Sequence, residues 1–191
     1  MEIESGDSVA GRVTVRRVPT DSLTTEATSA IRELLWAAFG DGEDAMTEDD
    51  WQHALGGVHF VAEAEGEIVA YSSVAERELE VDGLSIRSGY VEAVATAVAF
   101  QGKGVGSLLM QEVNAYIRER FQLGALGTGR HSFYERLGWL TWKGQTWVRT
   151  GDGPRRSPEE DGYILVLPTP TSPELDLAAP IACGWRPGDA W

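Results

Sequence analysis

Residues 91–117 read VEAVATAVAFQGKGVGSLLMQEVNAYI, an apolar strand-like stretch that meets a glycine-rich turn and runs straight into a helix. No other stretch of the chain narrows the fold as much. Glycines at 102, 104 and 106 let the backbone adopt positive φ and bring N–H groups close to a ligand. The helix behind them adds a positive dipole end, and Lys103 adds a point charge. A strand–turn–helix unit of this kind suits an anion, above all a phosphate. It is not a Walker loop, because no Gly-Lys-Ser/Thr closes it. Nor is it a dinucleotide fingerprint, because it sits mid-chain among strands that read as an antiparallel meander. From spacing alone, a glycine-rich helix entry that binds nothing stays open.

The rest of the chain supplies an α+β order. RVTVRRV, Arg12–Val18, alternates and predicts a first strand. TTEATSAIRELLWAAFG carries Ala27, Ile31, Leu34, Leu35 and Ala38 at helical spacing, with threonines to cap it and Gly40 to end it. TEDDWQHALGG predicts a short second helix opened by a Thr47–Asp50 capping box. Two strands are expected around Glu65–Gly66, and LSIRSGYVEAVAT predicts two more extended pieces. The helix from about Val105 to Arg120 follows, then the strand LGALGT and the short helix HSFYERLG. WLTWKGQTWVRT predicts one or two strands, GDGPRRSPEEDG a loop, YILVLP a last strand, and CGWRPGDAW no regular structure. Residues 1–11 are expected to be disordered and 12–191 to form a single domain, which 191 residues can supply with a sizeable core.

The full pattern of the turn is Gln-x-x-Gly-x-Gly, Gln101 to Gly106. It resembles the turn with which the Gcn5-related N-acetyltransferase (GNAT) superfamily receives the pyrophosphate of acetyl-CoA. Downstream, HSFYERLGW resembles that superfamily's second landmark, a short helix that carries a tyrosine and is closed by Leu-Gly-aromatic. WQHALGGVH, GYVEAVAT, FQLGALGT, LGWLTW, PEEDG and the ending CGWRPGDAW are more particular, and together they resemble the aminoglycoside 2′-N-acetyltransferase family over nearly the whole chain. The resemblance implies the GNAT fold: a mixed, mostly antiparallel central sheet flanked by helices and split at the strand that binds acetyl-CoA.

It also implies roles. Glu92 is the sole acid between Asp82 and Glu112. A strand residue facing solvent is one reading of it. The other is the base that relieves an incoming ammonium of its proton, directly or through water, while contacting the acceptor. Tyr134 reads from the residues alone as a core aromatic, whereas the resemblance makes it the hydroxyl that assists the leaving thiolate. Val94, Ala95 and Thr96 would pair with the pantetheine arm like an added strand, with the Val94 N–H at the thioester carbonyl. Gln101, Gly102, Lys103, Gly104, Val105 and Gly106 would hold the pyrophosphate. The acceptor, a rigid polycation, would meet Glu92, the backbone at Ala93, Glu160 (where an aspartate is more usual), Asp189 and the terminal carboxylate of Trp191. An aspartate ahead of the second helix is expected too, with Asp44 the choice and Asp41 the second choice. His53, His59 and His131 lack a metal-ligand spacing, so no metal is expected. Cys183 reads as a packing residue.

Charge supports the same partners. The net charge is −14, which argues against nucleic acid and anionic membranes. Residues 81–151 carry eight Lys/Arg and five Asp/Glu, whereas the remainder carries eight and 25. A solvated acidic surface that keeps the protein soluble is one reading of this; the other is a near-basic middle that would receive an anion and acidic flanks that would draw in a cation. An acidic, polar N-terminus and a single cysteine fit a cytoplasmic protein. The resemblance further carries the expectation of a homodimer. Two alternatives remain open at this level: a GNAT enzyme acting on a metabolic or peptidyl amine, and a non-catalytic module that binds acyl-CoA or the drug.

Overall fold

The computed structural model describes residues 13–42 and 45–191. The expectations placed on residues 1–11 and on Asp44 lie outside the described residues. Strand β1 (Val13–Pro19) leads through a 3-10 turn to helix α1 (Thr25–Phe39) and helix α2 (Glu48–Leu55). Strands β2 (Gly57–Ala64), β3 (Glu67–Val81) and β4 (Leu84–Thr96) form the meander. Helix α3 (Val105–Arg120), strand β5 (Leu123–Gly127) and helix α4 (His131–Glu135) follow. The chain ends with β6 (Leu140–Thr141), β7 (Thr146–Thr150), β8 (Gly153–Arg156), β9 (Ile164–Pro168) and β10 (Ile181–Gly184).

Local chemistry sets most of these boundaries. The Thr24 hydroxyl accepts from Ala27 N–H at 3.1 Å and opens α1, and Gly40 at φ 64° ends it. Ile31 and Leu35, four residues apart, are its buried stripe. The expected capping box opens α2, with Thr47 and Asp50 each bonding the other's backbone N–H.

The sheet is mixed and mostly antiparallel, in the order β6-β9-β5-β4-β3-β10-β7-β8. β3 is long enough to serve two neighbours on one edge. Its first part pairs with β2, which also carries β1, and its last residues, Leu79–Val81, pair with β10. α3 crosses over to make β5 parallel to β4, the βαβ unit expected around the glycine turn. Alternation along β2 sorts the layers: Phe60 and Ala62 face α3, whereas Val61 faces α1 and α2. Where α1 and α2 no longer reach, Leu175, Leu177, Ala179 and the terminal Trp191 cover the sheet against Tyr90 and Trp142.

Three expectations are corrected. LSIRSGYVEAVAT is one continuous strand, β4, bent but not broken. The loop at 151–162 holds strand β8 and a 3-10 turn at Pro158–Glu160, because Arg156 is fixed to Asp161 and to Thr146 O, and this ties the hairpin down. The start of the tail is a strand, β10, buried between β3 and β7.

Candidate active site

Two breaks in regular pairing create the site. Between the pairs Tyr71–Ala95 and Ser73–Glu92, a single β3 residue, Ser72, faces both Ala93 and Val94 on β4. This is a β-bulge, and Ala93 takes the extra turn at φ 41°, a left-handed conformation that costs a residue with a Cβ energy. The second break is on the opposite edge. β4 pairs with β5 only over Ser88–Tyr90, after which the strands part. From Val91 to Thr96 the β4 edge toward β5 is therefore open to an extended ligand. The bulge re-aims the backbone where that opening begins, and Val94 stands at it.

The opening leads to the glycine turn. Gln101 donates from its side chain to Thr96 O at 3.0 Å and folds the turn back onto the end of β4. Gly102 and Gly104 both have positive φ, 72° and 84°, and Gly104 is the N-cap of α3 with no side-chain cap. The first N–H groups of α3 are thus free to meet an anion. A Cβ on Gly106 would lie 3.3 Å from Thr96 Oγ1 and 3.6 Å from the Phe133 ring, so its small size lets the helix sit close against strand and tyrosine helix. Gln101, Gly102, Lys103 and Gly104 are exposed, whereas Val105 is buried.

Tyr134 follows Phe133, whose ring lies against the Gly106 turn, on helix α4. Asn114, buried in α3, donates to Leu137 O at 3.1 Å and accepts from Trp139 Nε1 at 3.0 Å. That clamp fixes the Leu-Gly-Trp segment, whose Trp139 ring lies 6.1 Å from Tyr134, edge-on. Burial pushes the Tyr134 hydroxyl up to about 12, with nearby Arg130 pulling slightly the other way. It therefore keeps its proton through the neutral range and is available as a donor. Among the described residues its hydroxyl has no hydrogen-bond partner.

Glu92 is buried, not solvent-facing, at 8% exposure. Its partner is one the sequence reading did not name. Arg186 Nη1 lies 2.5 Å from Oε1, and Nη2 lies 3.3 Å from Oε2. Arg186 also donates to Asp189 O at 2.8 Å and to a terminal oxygen of Trp191 at 3.3 Å. Arg77 pins the same tail from β3 through Gly184 O (3.0 Å) and Ala190 O (2.7 Å), and Ser157 accepts from the Trp191 indole at 3.0 Å. The Asp189 side chain accepts from Trp191 N at 3.0 Å. The tail is thus a folded wall of the site.

Glu160 joins this group. Burial first, then the charges of Asp189 and Glu159, raise its carboxyl to about 7. Glu92, Glu160 and Asp189 are thus linked through one tail, an arrangement fitted to a ligand with several cationic groups. Asp41 is exposed at the end of α1 and is not drawn into this cluster. Asp49 is closer to it, because a Cβ on Gly188 would lie 2.8 Å from the Asp49 Cβ. The first turn of α2 therefore abuts the tail, which the reading of Asp44 and Asp41 overlooked. His59 is a core histidine, fully buried between Thr20 Oγ1 (2.8 Å) and Tyr71 Oη (2.7 Å), and burial lowers it to about 4. Cys183 is buried in the cluster that holds Trp191.

Comparison with known proteins agrees with this geometry. The family model described as "Acetyltransferase (GNAT) domain" matches residues 20–141. An aminoglycoside 2′-N-acetyltransferase of Mycolicibacterium fortuitum is 40% identical over 184 residues, covering 93% of this chain and 92% of the relative. A GNAT family acetyltransferase from Brucella melitensis, solved in complex with acetyl-CoA, superposes with a TM-score of 0.59 at 18% identity, over 89% of this chain and 94% of that one. A GCN5-related N-acetyltransferase from Kribbella flavida gives 0.57 at 22% identity over 71% of this chain, which spans only 35% of that longer protein. These likenesses identify the split, mixed sheet as the GNAT fold.

Proposed function

The chain belongs to the GNAT acetyltransferases, with a 2′-N-acetyltransferase as a full-length relative, and from that premise we propose that it acetylates the 2′-amino group of aminoglycosides with acetyl-CoA. The observation that carries the reading is the buried Glu92 carboxylate beside the β4 bulge, tied through Arg186 to the tail whose Asp189 charge reaches Glu160. A polycation needs several fixed carboxylates, and a metal-free amine transfer needs one of them at the reacting nitrogen.

The chemistry follows from the placement. The pantetheine arm pairs with the open β4 edge at Val94, Ala95 and Thr96, and the turn from Gln101 to Gly106 takes the pyrophosphate. The acceptor's ammonium gives its proton to Glu92, directly or through a water. The neutral nitrogen attacks the thioester carbonyl carbon. The resulting oxyanion is met by the Val94 N–H, which stands beside the bulge. The C–S bond breaks as the amide forms: the departing thiolate takes a proton from Tyr134, and the second proton, shed by the nitrogen after attack, returns to Tyr134 through water. The amine loses a positive charge, and with it the drug loses part of its attraction to RNA, which is how such an activity would confer resistance.

Tyr134→Phe keeps the ring packing and removes the donor. The expected result is a fall in kcat of about a hundredfold with acetyl-CoA affinity nearly unchanged, read by steady-state kinetics and calorimetry. Glu160 gives a pH signature. It is neutral below about 7 and charged above it, so its attraction for the acceptor is gained as pH rises through 7. The parent's acceptor kcat/KM should therefore pull away from that of Glu160→Gln between mildly acidic and mildly alkaline buffer; parallel profiles would remove Glu160 from the acceptor site. The reading itself is tested by isolating the product and locating the acetyl group by NMR. The 2′ nitrogen is expected, and acetyl on another amine would contradict it.

A further inference from the structure

The charge on Arg186 is out of place for a site that must receive a cation. It lies on the acceptor wall, between Glu92 and the end of the chain, with only 15% of its side chain exposed. A basic residue there competes with the ammonium for the same carboxylates, unless it does something for them that outweighs the competition. Its contacts say what that is. One edge of the guanidinium forks onto both oxygens of Glu92, at 2.5 and 3.3 Å. Nη2 also reaches the terminal oxygen of Trp191, and Nε reaches Asp189 O. A single rigid plane thus spans strand β4 and the end of the tail. Its centre lies 5.7 Å from the Tyr90 ring, whose own hydroxyl is buried with no partner among the described residues.

We infer that Arg186 is a positioning residue of the acceptor site, which holds the Glu92 carboxylate in a fixed orientation against the Trp191 end of the tail. The inference rests on the acceptor reading given above. Glu92 is buried, and the guanidinium it meets also holds the backbone oxygens of Asp189 and Trp191. Without a counter-cation such a group turns toward water. Arg186 occupies one face of it and leaves the other for the incoming nitrogen. It stays in place during turnover, because leaving would strand the buried Glu92 carboxylate. Lysine cannot replace it, since an ammonium has no planar fork to set the orientation of both partners. Arg186 acts through Glu92, so its value to the reaction vanishes when Glu92 can no longer take a proton.

That dependence gives the test. Parent, Glu92→Gln, Arg186→Gln and the double variant are compared in acetyl transfer to a 2′-amino aminoglycoside, with Arg186→Lys alongside. Arg186→Gln should lower kcat about a hundredfold, the loss expected from a misplaced catalytic group, with the acetyl-CoA KM unchanged. The double variant should be no slower than Glu92→Gln, and Arg186→Lys should recover little. Losses that multiply in the double variant, or full recovery by lysine, would overturn the inference. The same four proteins are unfolded in urea, which needs no acceptor. The midpoint shift of the double variant should be smaller than the sum of the single shifts, and additive shifts would overturn the pairing. A parent without turnover would sink the acceptor reading, while the urea comparison would still decide whether Arg186 and Glu92 act as a unit.

Discussion

Glu92→Gln is expected to lower kcat for acetyl transfer by about a thousandfold, within the range that a positioned general base supplies, while acetyl-CoA still binds. The substitution keeps the shape of the side chain and one acceptor oxygen for Arg186, so the tail should stay folded. What it removes is the group that can hold the ammonium's proton. With the cofactor proposed to meet the β4 backbone and the glycine turn, not this side chain, calorimetry should return an acetyl-CoA affinity within a few-fold of the parent. If the variant kept most of its kcat, another base would have to be sought, and buried His59, held neutral in the core, would be a poor one.

The second large effect concerns the tail. Ending the chain after Gly184 leaves β10 and its pairing with β3 and β7 intact. It removes Arg186, Asp189 and Trp191 together, with the indole that Ser157 anchors. Acceptor kcat/KM should fall by about a thousandfold or more, roughly 4 kcal/mol of transition-state stabilisation. The acetyl-CoA side of the cleft, built on β4 and α3, should bind as before. A truncated protein that bound neither ligand would show that the tail serves the core, where Trp191 packs with Tyr90 and Trp142. One that kept its acceptor turnover would remove the tail from the site.

Much of this was legible in the sequence, for reasons that differ from element to element. The glycine turn was readable because Gly102 and Gly104 need positive φ and Gly106 needs close packing, so each glycine answers to local geometry. The capping box of α2 was readable because both of its bonds lie within four residues. The bulge in β4 was not. Ala93 carries no mark of a left-handed residue, and the distortion depends on how β3 pairs across it. Strand β10 was missed because Ile181–Gly184 is short, and what stabilises it is a slot between β3 and β7 that exists only in the folded sheet.

The site divides the same way. Glu92 drew attention as a lone acid in an apolar run, and the structure buries it as that oddity suggested. Arg186 was passed over because its partner lies 94 residues away and nothing in CGWRPGDAW says which carboxylate it would meet. Asn114, which clamps Trp139 and so sets Tyr134, looked like one more polar residue on a helix. In each case the missing information was a long-range contact.

The central claim is that the acidic wall beside β4 presents a 2′-amine to the thioester. The most direct measurement mixes the protein with acetyl-CoA and follows thiol release with two aminoglycosides, one bearing a 2′-amine and one a 2′-hydroxyl. Release with the 2′-amino drug and none with its hydroxyl counterpart is the predicted result. Equal release with both would place the attack at another amine and contradict the assignment of Glu92, Glu160, Asp189 and Trp191 to the acceptor.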